Sequence, residues 1–167
     1  MHSYIYVVRI HIVNSGRKKK GIIVGIDPNK TFTDIAKKYF EKEDVLDVLD
    51  LRLEYGIPAL RKMVEDDNDS RSGSYDFAFV DAHKPEYWQY YELLLLLIRK
   101  GGIMVFDNTL WGGRVAMSAK QWGEGNGMPH EFTRSFREFN LKLRDDQRVR
   151  QCMTDLGDGA TFVTKLV

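Results

Sequence analysis

The chain has 167 residues, 43% of them hydrophobic and 29% charged, with a formal net charge of +1. Such a length fits one domain with a core of its own, and the near-neutral balance gives no sign of a nucleic-acid or acidic-surface partner. A single cysteine, Cys152, excludes an internal disulfide framework and fits a reducing, cytoplasmic compartment, while residues 93–98 form an apolar run far too short to span a membrane.

Residues 1–15 are apolar in character but broken by His2, Arg9 and His11, and no small-residue cleavage site follows, so no signal peptide is expected. Residues 4–13 (YIYVVRIHIV) are β-branched and aromatic and read as a strand. A basic loop follows at 14–20, then a second strand at 21–26 that ends on Asp27. Residues 31–43 repeat apolar side chains at helical spacing, with Asn29 or Thr31 as the cap. A strand is expected at 45–51 and the start of a helix at 57–64, which gives way to a polar loop at 65–73.

The central unit comes next. Two apolar runs, 75–80 (YDFAFV) and 102–106 (GIMVF), end on Asp81 and on Asp107-Asn108. Between them, 85–100 begins with proline, is rich in leucine and finishes on Arg-Lys-Gly-Gly, which predicts strand, helix, strand. Runs this apolar read as parallel strands buried on both faces. Ligands of open parallel sheets sit beyond the carboxyl ends of the strands, so Asp81, Asp107 and Asn108 are expected side by side at the functional edge. Residues 111–128 carry many glycines and read as a mobile loop over that edge; 130–144 is an amphipathic helix. Two closing strands, 148–153 and 160–167, turn at Gly157-Asp158-Gly159 as a hairpin. Strands alternating with helices make a doubly wound α/β sheet.

Each acid admits two readings. Asp27 either accepts hydrogen bonds from ribose hydroxyls, as acids at this place do in dinucleotide folds, or serves the turn into the next helix. Asp81, Asp107 and Asn108 are hard oxygen donors that suit Mg²⁺ or Ca²⁺ rather than zinc, or they cap the turns that follow their strands. Lys84 is close enough to Asp81 to act as a base beside a bound cation, or it is a solvated side chain. His83 can be read the same way, or as a metal ligand. Trp111, Trp88, Tyr90 and Tyr91 could stack on an aromatic substrate; those on the leucine-rich helix read more simply as core.

The wording YDFAFVDAHKPEYWQYY, followed by KGGIMVFDNTLWGG and GDGATFV, closely resembles the caffeoyl-coenzyme A O-methyltransferase family, from about residue 21 to 167. These are cation-dependent enzymes that use S-adenosylmethionine and are related to catechol O-methyltransferase. The resemblance implies a Rossmann-like class I methyltransferase fold: a mostly parallel sheet with an antiparallel C-terminal hairpin. Residues 1–20 form an atypical N-terminal segment and 21–167 the methyltransferase domain, whose first βα unit is truncated or replaced. It implies Asp81, Asp107 and Asn108 as metal ligands and Lys84 as general base. Asp27, Gly56, Asp81 and His83 would bind the methyl donor, and Trp111 and Gly112 the substrate. The expected acceptor is a small aromatic diol, a phenylpropanoid such as caffeoyl-coenzyme A. A homodimer is possible as in the family; no nucleic acid or membrane partner is expected.

The departures define the alternative. No Glu-x-Gly precedes Gly16, where the family has a glycine-rich donor loop after its first strand, and the family's N-terminal helices have no counterpart. His83 stands in place of a second aspartate, Gly112 in place of an asparagine, and Phe132 and Phe136 where tyrosines are common; Leu53 and Tyr55 alter the adenine segment. The competing reading is a truncated, catalytically impaired member that binds a cation or a partner. In either case residues 4–13 fill the vacant strand position, or the sheet edge stays open and favours association.

Overall fold

The computed structural model describes residues 4–9, 21–67, 73–118, 121 and 130–167. The expected loops at 14–20 and most of 119–129 lie outside the described residues. In chain order the elements are β1 (Tyr4–Arg9), β2 (Ile22–Ile26), α1 (Lys30–Lys42), β3 (Leu49–Arg52), α2 (Gly56–Asp67) and β4 (Tyr75–Asp81). They continue with α3 (Tyr87–Leu97), β5 (Ile98–Asp107), α4 (His130–Asp145), β6 (Val149–Thr154) and β7 (Ala160–Lys165).

Among the described residues the seven strands form one sheet in the order β3-β2-β1-β4-β5-β7-β6. Strands β2 and β3 pair in parallel, as do β4 and β5, and the closing hairpin is antiparallel as expected. The first strand does enter the sheet, but it runs backwards. Strand β1 pairs antiparallel with both β2 and β4 and separates them. Residues 4–9 thus form an interior strand of the sheet, between β2 and β4. Five strands share one direction, and β1 and β7 oppose it.

The register fixes what this sheet buries. Ile5 faces Ile26 on one side and Val80 on the other, and Val80 faces Phe106. All four are essentially fully buried. Helix α3 lies on β4 and β5, with α2 and α4 packed on α3. Its Tyr87, Tyr90, Tyr91, Leu94 and Leu97 are buried, which explains an apolar helix with little amphipathic contrast. Toward β5 and β7 the other face has thinner cover: Ile103 and Phe162 are each 39% exposed.

Three boundaries differ from the sequence reading. Helix α3 ends at Leu97 rather than Lys100, because Ile98 already pairs with Tyr75 and starts β5. Arg99 and Lys100 therefore belong to the strand. Gly102 is needed there, since a Cβ would meet the Asp76 carbonyl oxygen at 2.9 Å. Helix α2 continues to Asp67 instead of breaking at 65, and Leu46–Val48 is a 3₁₀ turn ahead of a shorter β3.

Candidate functional site

The site is built on the next residue out from the buried row. Ile26, Val80 and Phe106 are followed by Asp27, Asp81 and Asp107 at the tips of β2, β4 and β5, all pointing the same way. Asp81 and Asp107 sit on adjacent strands, about 5 Å apart by strand spacing. Between Asp27 and Asp81 lies one intervening strand, and because that strand is reversed its N-terminal end, Tyr4, stands opposite Asp81.

Lys84 joins the tips. It lies on a 3₁₀ turn (Lys84–Glu86) that carries the chain from β4 into α3, and it is only 3% exposed. Its Nζ donates to Asp81 Oδ1 at 2.5 Å, to Asn108 Oδ1 at 2.6 Å and to the Tyr87 hydroxyl at 3.0 Å. Three N–H donors have three acceptors, so the buried ammonium is satisfied. The solvated reading of Lys84 is thus excluded by its burial. Asp107 is arranged differently: its Oδ1 accepts the Asn108 N–H at 2.8 Å. Among the described residues no three His, Cys, Asp or Glu gather as a metal cluster. Asp81 Oδ1 and Asn108 Oδ1 meet at Lys84 Nζ, and Asp107 stands at the neighbouring strand tip; carboxylate and amide oxygens are the donors a hard cation takes.

Tyr87 is a residue the sequence reading passed over, although its spacing of three from Lys84 was visible. Its ring is buried among Phe106, Phe136 and Phe139. Burial, with Asp81 and Asp107 nearby, pushes its hydroxyl well above the usual phenol range, so it stays protonated. It can therefore accept from Lys84 and donate to the Asp107 carbonyl oxygen, 3.0 Å away.

At Asp27 the structure shows the turn reading. Asn29 is the helix cap, its Oδ1 accepting from the N–H groups of Thr31 and Phe32, and Asp27 Oδ1 accepts the Asn29 N–H at 2.7 Å. The other oxygen, Oδ2, is buried and has no hydrogen-bond partner among the described residues. Leaving a carboxylate oxygen unpaired is costly, so this atom fits a ligand that brings hydroxyl donors, such as a ribose diol.

Gly56 opens α2, and a Cβ there would meet Ile5 Cδ1 at 2.6 Å and the Tyr90 ring at 2.8 Å, so β1 covers it. His83 is half exposed, with Nδ1 3.8 Å from Glu86 Oε2 and its ring edge-on to Phe132. Trp111 is buried against Phe132 and Phe136 rather than presented for stacking. Gly112 is exposed, and its N–H donates to Asp158 Oδ1. Asn108 and Trp111 adopt positive φ, +60° and +49°, uncommon and strained for residues with side chains. The 157–159 turn holds that conformation: Thr109 and Leu110 donate to the carbonyls of Gly159 and Asp158 at 2.9 and 3.0 Å. From below, Asn140 donates to the Thr109 carbonyl and Thr161 to the Thr109 hydroxyl.

The sequence pattern of the family described as O-methyltransferase matches residues 13–166. A protein named "Probable caffeoyl-CoA O-methyltransferase" from Arabidopsis thaliana is 39% identical over 149 residues, 87% of this chain and 61% of that protein. Tricin synthase 1 from Oryza sativa subsp. japonica is 36% identical over 88% of this chain and 58% of its own length. The chain therefore spans about six-tenths of the relatives it matches. Among solved structures, the O-methyltransferase from Bacillus cereus in complex with SAH superposes with a TM-score of 0.69 at 22% identity, over 87% of this chain and 63% of that one. Its likeness shows a shared fold, the Rossmann-like fold expected. With the family pattern running through every described element except β1, this chain belongs to the O-methyltransferase family.

Proposed function

We propose that the chain transfers a methyl group from S-adenosylmethionine to a hydroxyl of a catechol-type aromatic acceptor, a phenylpropanoid such as caffeoyl-coenzyme A, in a cation-dependent reaction. The observation that carries the reading is the single row of Asp27, Asp81 and Asp107 at one sheet edge, with Lys84 buried in its middle. Asp27 Oδ2 would take the ribose hydroxyls of the donor. Asp81, Asp107 and Asn108 would hold Mg²⁺ or Ca²⁺, which when bound supplies the charge that grips both oxygens of a vicinal diol and favours the ionised one. Lys84, once it had given up an ammonium proton beside the bound cation, would take the acceptor's proton on Nζ, and the phenolate oxygen would then take the methyl carbon as its bond to sulfur breaks. Most of the acceleration comes from positioning and fixed charge. The names of the relatives support the acceptor class. The proposal includes a cytoplasmic location and a homodimer; no helix among the described residues is long and apolar enough to cross a membrane.

The reversal of β1 favours a second reading. It brings the start of a strand, not the loop after one, to the edge beside Asp81, where the family resemblance calls for a glycine-rich donor loop. A member built this way could bind a cation or a partner without turning over. Titrating the purified chain calorimetrically with S-adenosylmethionine, with and without Mg²⁺, separates the two. Donor binding followed by methylation of a catechol supports the enzyme; no binding at millimolar donor supports the impaired member.

A further inference from the structure

We infer that Lys84 and a divalent cation compete for the same oxygens, so that the Lys84 ammonium sets how tightly the cation binds and leaves Asp81 and Asn108 when the ion enters. The inference rests on the cation reading of Asp81, Asp107 and Asn108 given above. Its basis is geometric. Nζ lies 2.5 Å from Asp81 Oδ1 and 2.6 Å from Asn108 Oδ1. Oxygen ligands of Ca²⁺ stand about 2.3–2.6 Å from the ion, so the ammonium already holds the position a small cation would take between those two oxygens. The Lys84 side chain is buried, which denies it the easy retreat into water that a surface lysine has. Two positive charges cannot share one pair of oxygens at such distances, because their repulsion grows as the surroundings dry.

The third partner gives the displaced amine somewhere to stay. Of the three acceptors around Nζ, only the Tyr87 hydroxyl is outside the proposed ligand set. It is buried and braced on the Asp107 carbonyl. A lysine released from Asp81 and Asn108 but kept by Tyr87 remains at the site edge, next to where an acceptor hydroxyl would be held. Cation entry and release of Lys84 from the two ligand oxygens are then one event.

The experiment measures Ca²⁺ and Mg²⁺ affinity of the whole chain by calorimetry, for wild type and Lys84→Met. If Lys84 competes, Lys84→Met binds Ca²⁺ more tightly, on the order of tenfold, the scale on which one neighbouring like charge shifts an ionic equilibrium. Equal or weaker binding by the variant overturns the inference and leaves Lys84 as a brace between β4 and β5. Wild-type protein gives a second measurement that needs no variant: amine-reactive labelling of Lys84, read by mass spectrometry with and without Ca²⁺. Labelling that accelerates several-fold with Ca²⁺ supports release of the amine; unchanged labelling overturns it. If neither protein binds either ion at millimolar concentration, the cation reading fails, and the inference falls with it.

Discussion

The Tyr87 hydroxyl donates to the main-chain carbonyl of Asp107 across 3.0 Å. The start of α3 is thereby fastened to the tip of β5, and Lys84 hangs from the same oxygen. Tyr87→Phe keeps the ring and removes the hydroxyl. It should cost about 1–3 kcal/mol in urea unfolding, because the Asp107 carbonyl and one Lys84 N–H lose a buried partner. In an active preparation it should lower kcat with little change in KM for the donor. Tyr91→Phe is the matched control, since Tyr91 sits one turn later and bonds Asp146 instead. Equal kinetic losses in both variants would show that only folding had been disturbed.

Asp27→Asn should keep the turn, because an amide oxygen can still accept the Asn29 N–H. Stability should change by less than about 1 kcal/mol, whereas donor affinity should fall roughly tenfold or more as a charged acceptor becomes neutral. Calorimetric titration checks the second figure and thermal unfolding the first. Donor affinity that survives unchanged removes Asp27 from the site.

Asp107→Ala should abolish cation-dependent methylation, because it takes one of only two carboxylates from the proposed ligand set. The measurement is methyl transfer to a catechol with Mg²⁺ present and after chelation. Activity that persists and still responds to Mg²⁺ would show that the ion is held elsewhere.

Ile5 tests the reversed strand. It is 1% exposed and meets Ile26, Val80 and Gly56 at the middle of the sheet. Ile5→Ala should cost about 2–4 kcal/mol, the range for buried isoleucine truncation. A loss below about 0.5 kcal/mol, within the surface range, would mean that β1 is not part of the core.

The pH dependence of stability should have two limbs. Arg148 holds the Asp146 carboxyl down at about 2, against burial that raises it, with help from the Tyr91 hydroxyl. A carboxylate lowered in the folded state adds stability above its unfolded value, near 4, and that contribution disappears as pH falls toward 2. Tyr87, Tyr90 and Tyr91 are raised, chiefly by burial. Their contribution is complete below about 10 and is lost as pH rises above it, where the unfolded chain ionises first. Thermal unfolding from pH 2 to 11 should show both declines, and Asp146→Asn should flatten the acid one.

The sequence by itself determined where the acids would be. Each follows directly on an apolar run, so Asp27, Asp81 and Asp107 had to stand at strand tips, and the strand–helix–strand unit around them was legible from proline, leucine and glycine alone. Only the tertiary structure decided the direction of β1. Alternating β-branched residues look the same read forward or backward, and pairing partners many residues away leave no trace in the run itself. The end of α3 was hidden for a related reason: nothing in its leucines marks the point at which pairing with Tyr75 outbids the helix. Trp111 shows the same limit, as a glycine-flanked tryptophan reads as an exposed platform until Phe132 and Phe136 close over it. The three acceptors around Lys84 come from positions 81, 87 and 108, and only folding brings them to one nitrogen.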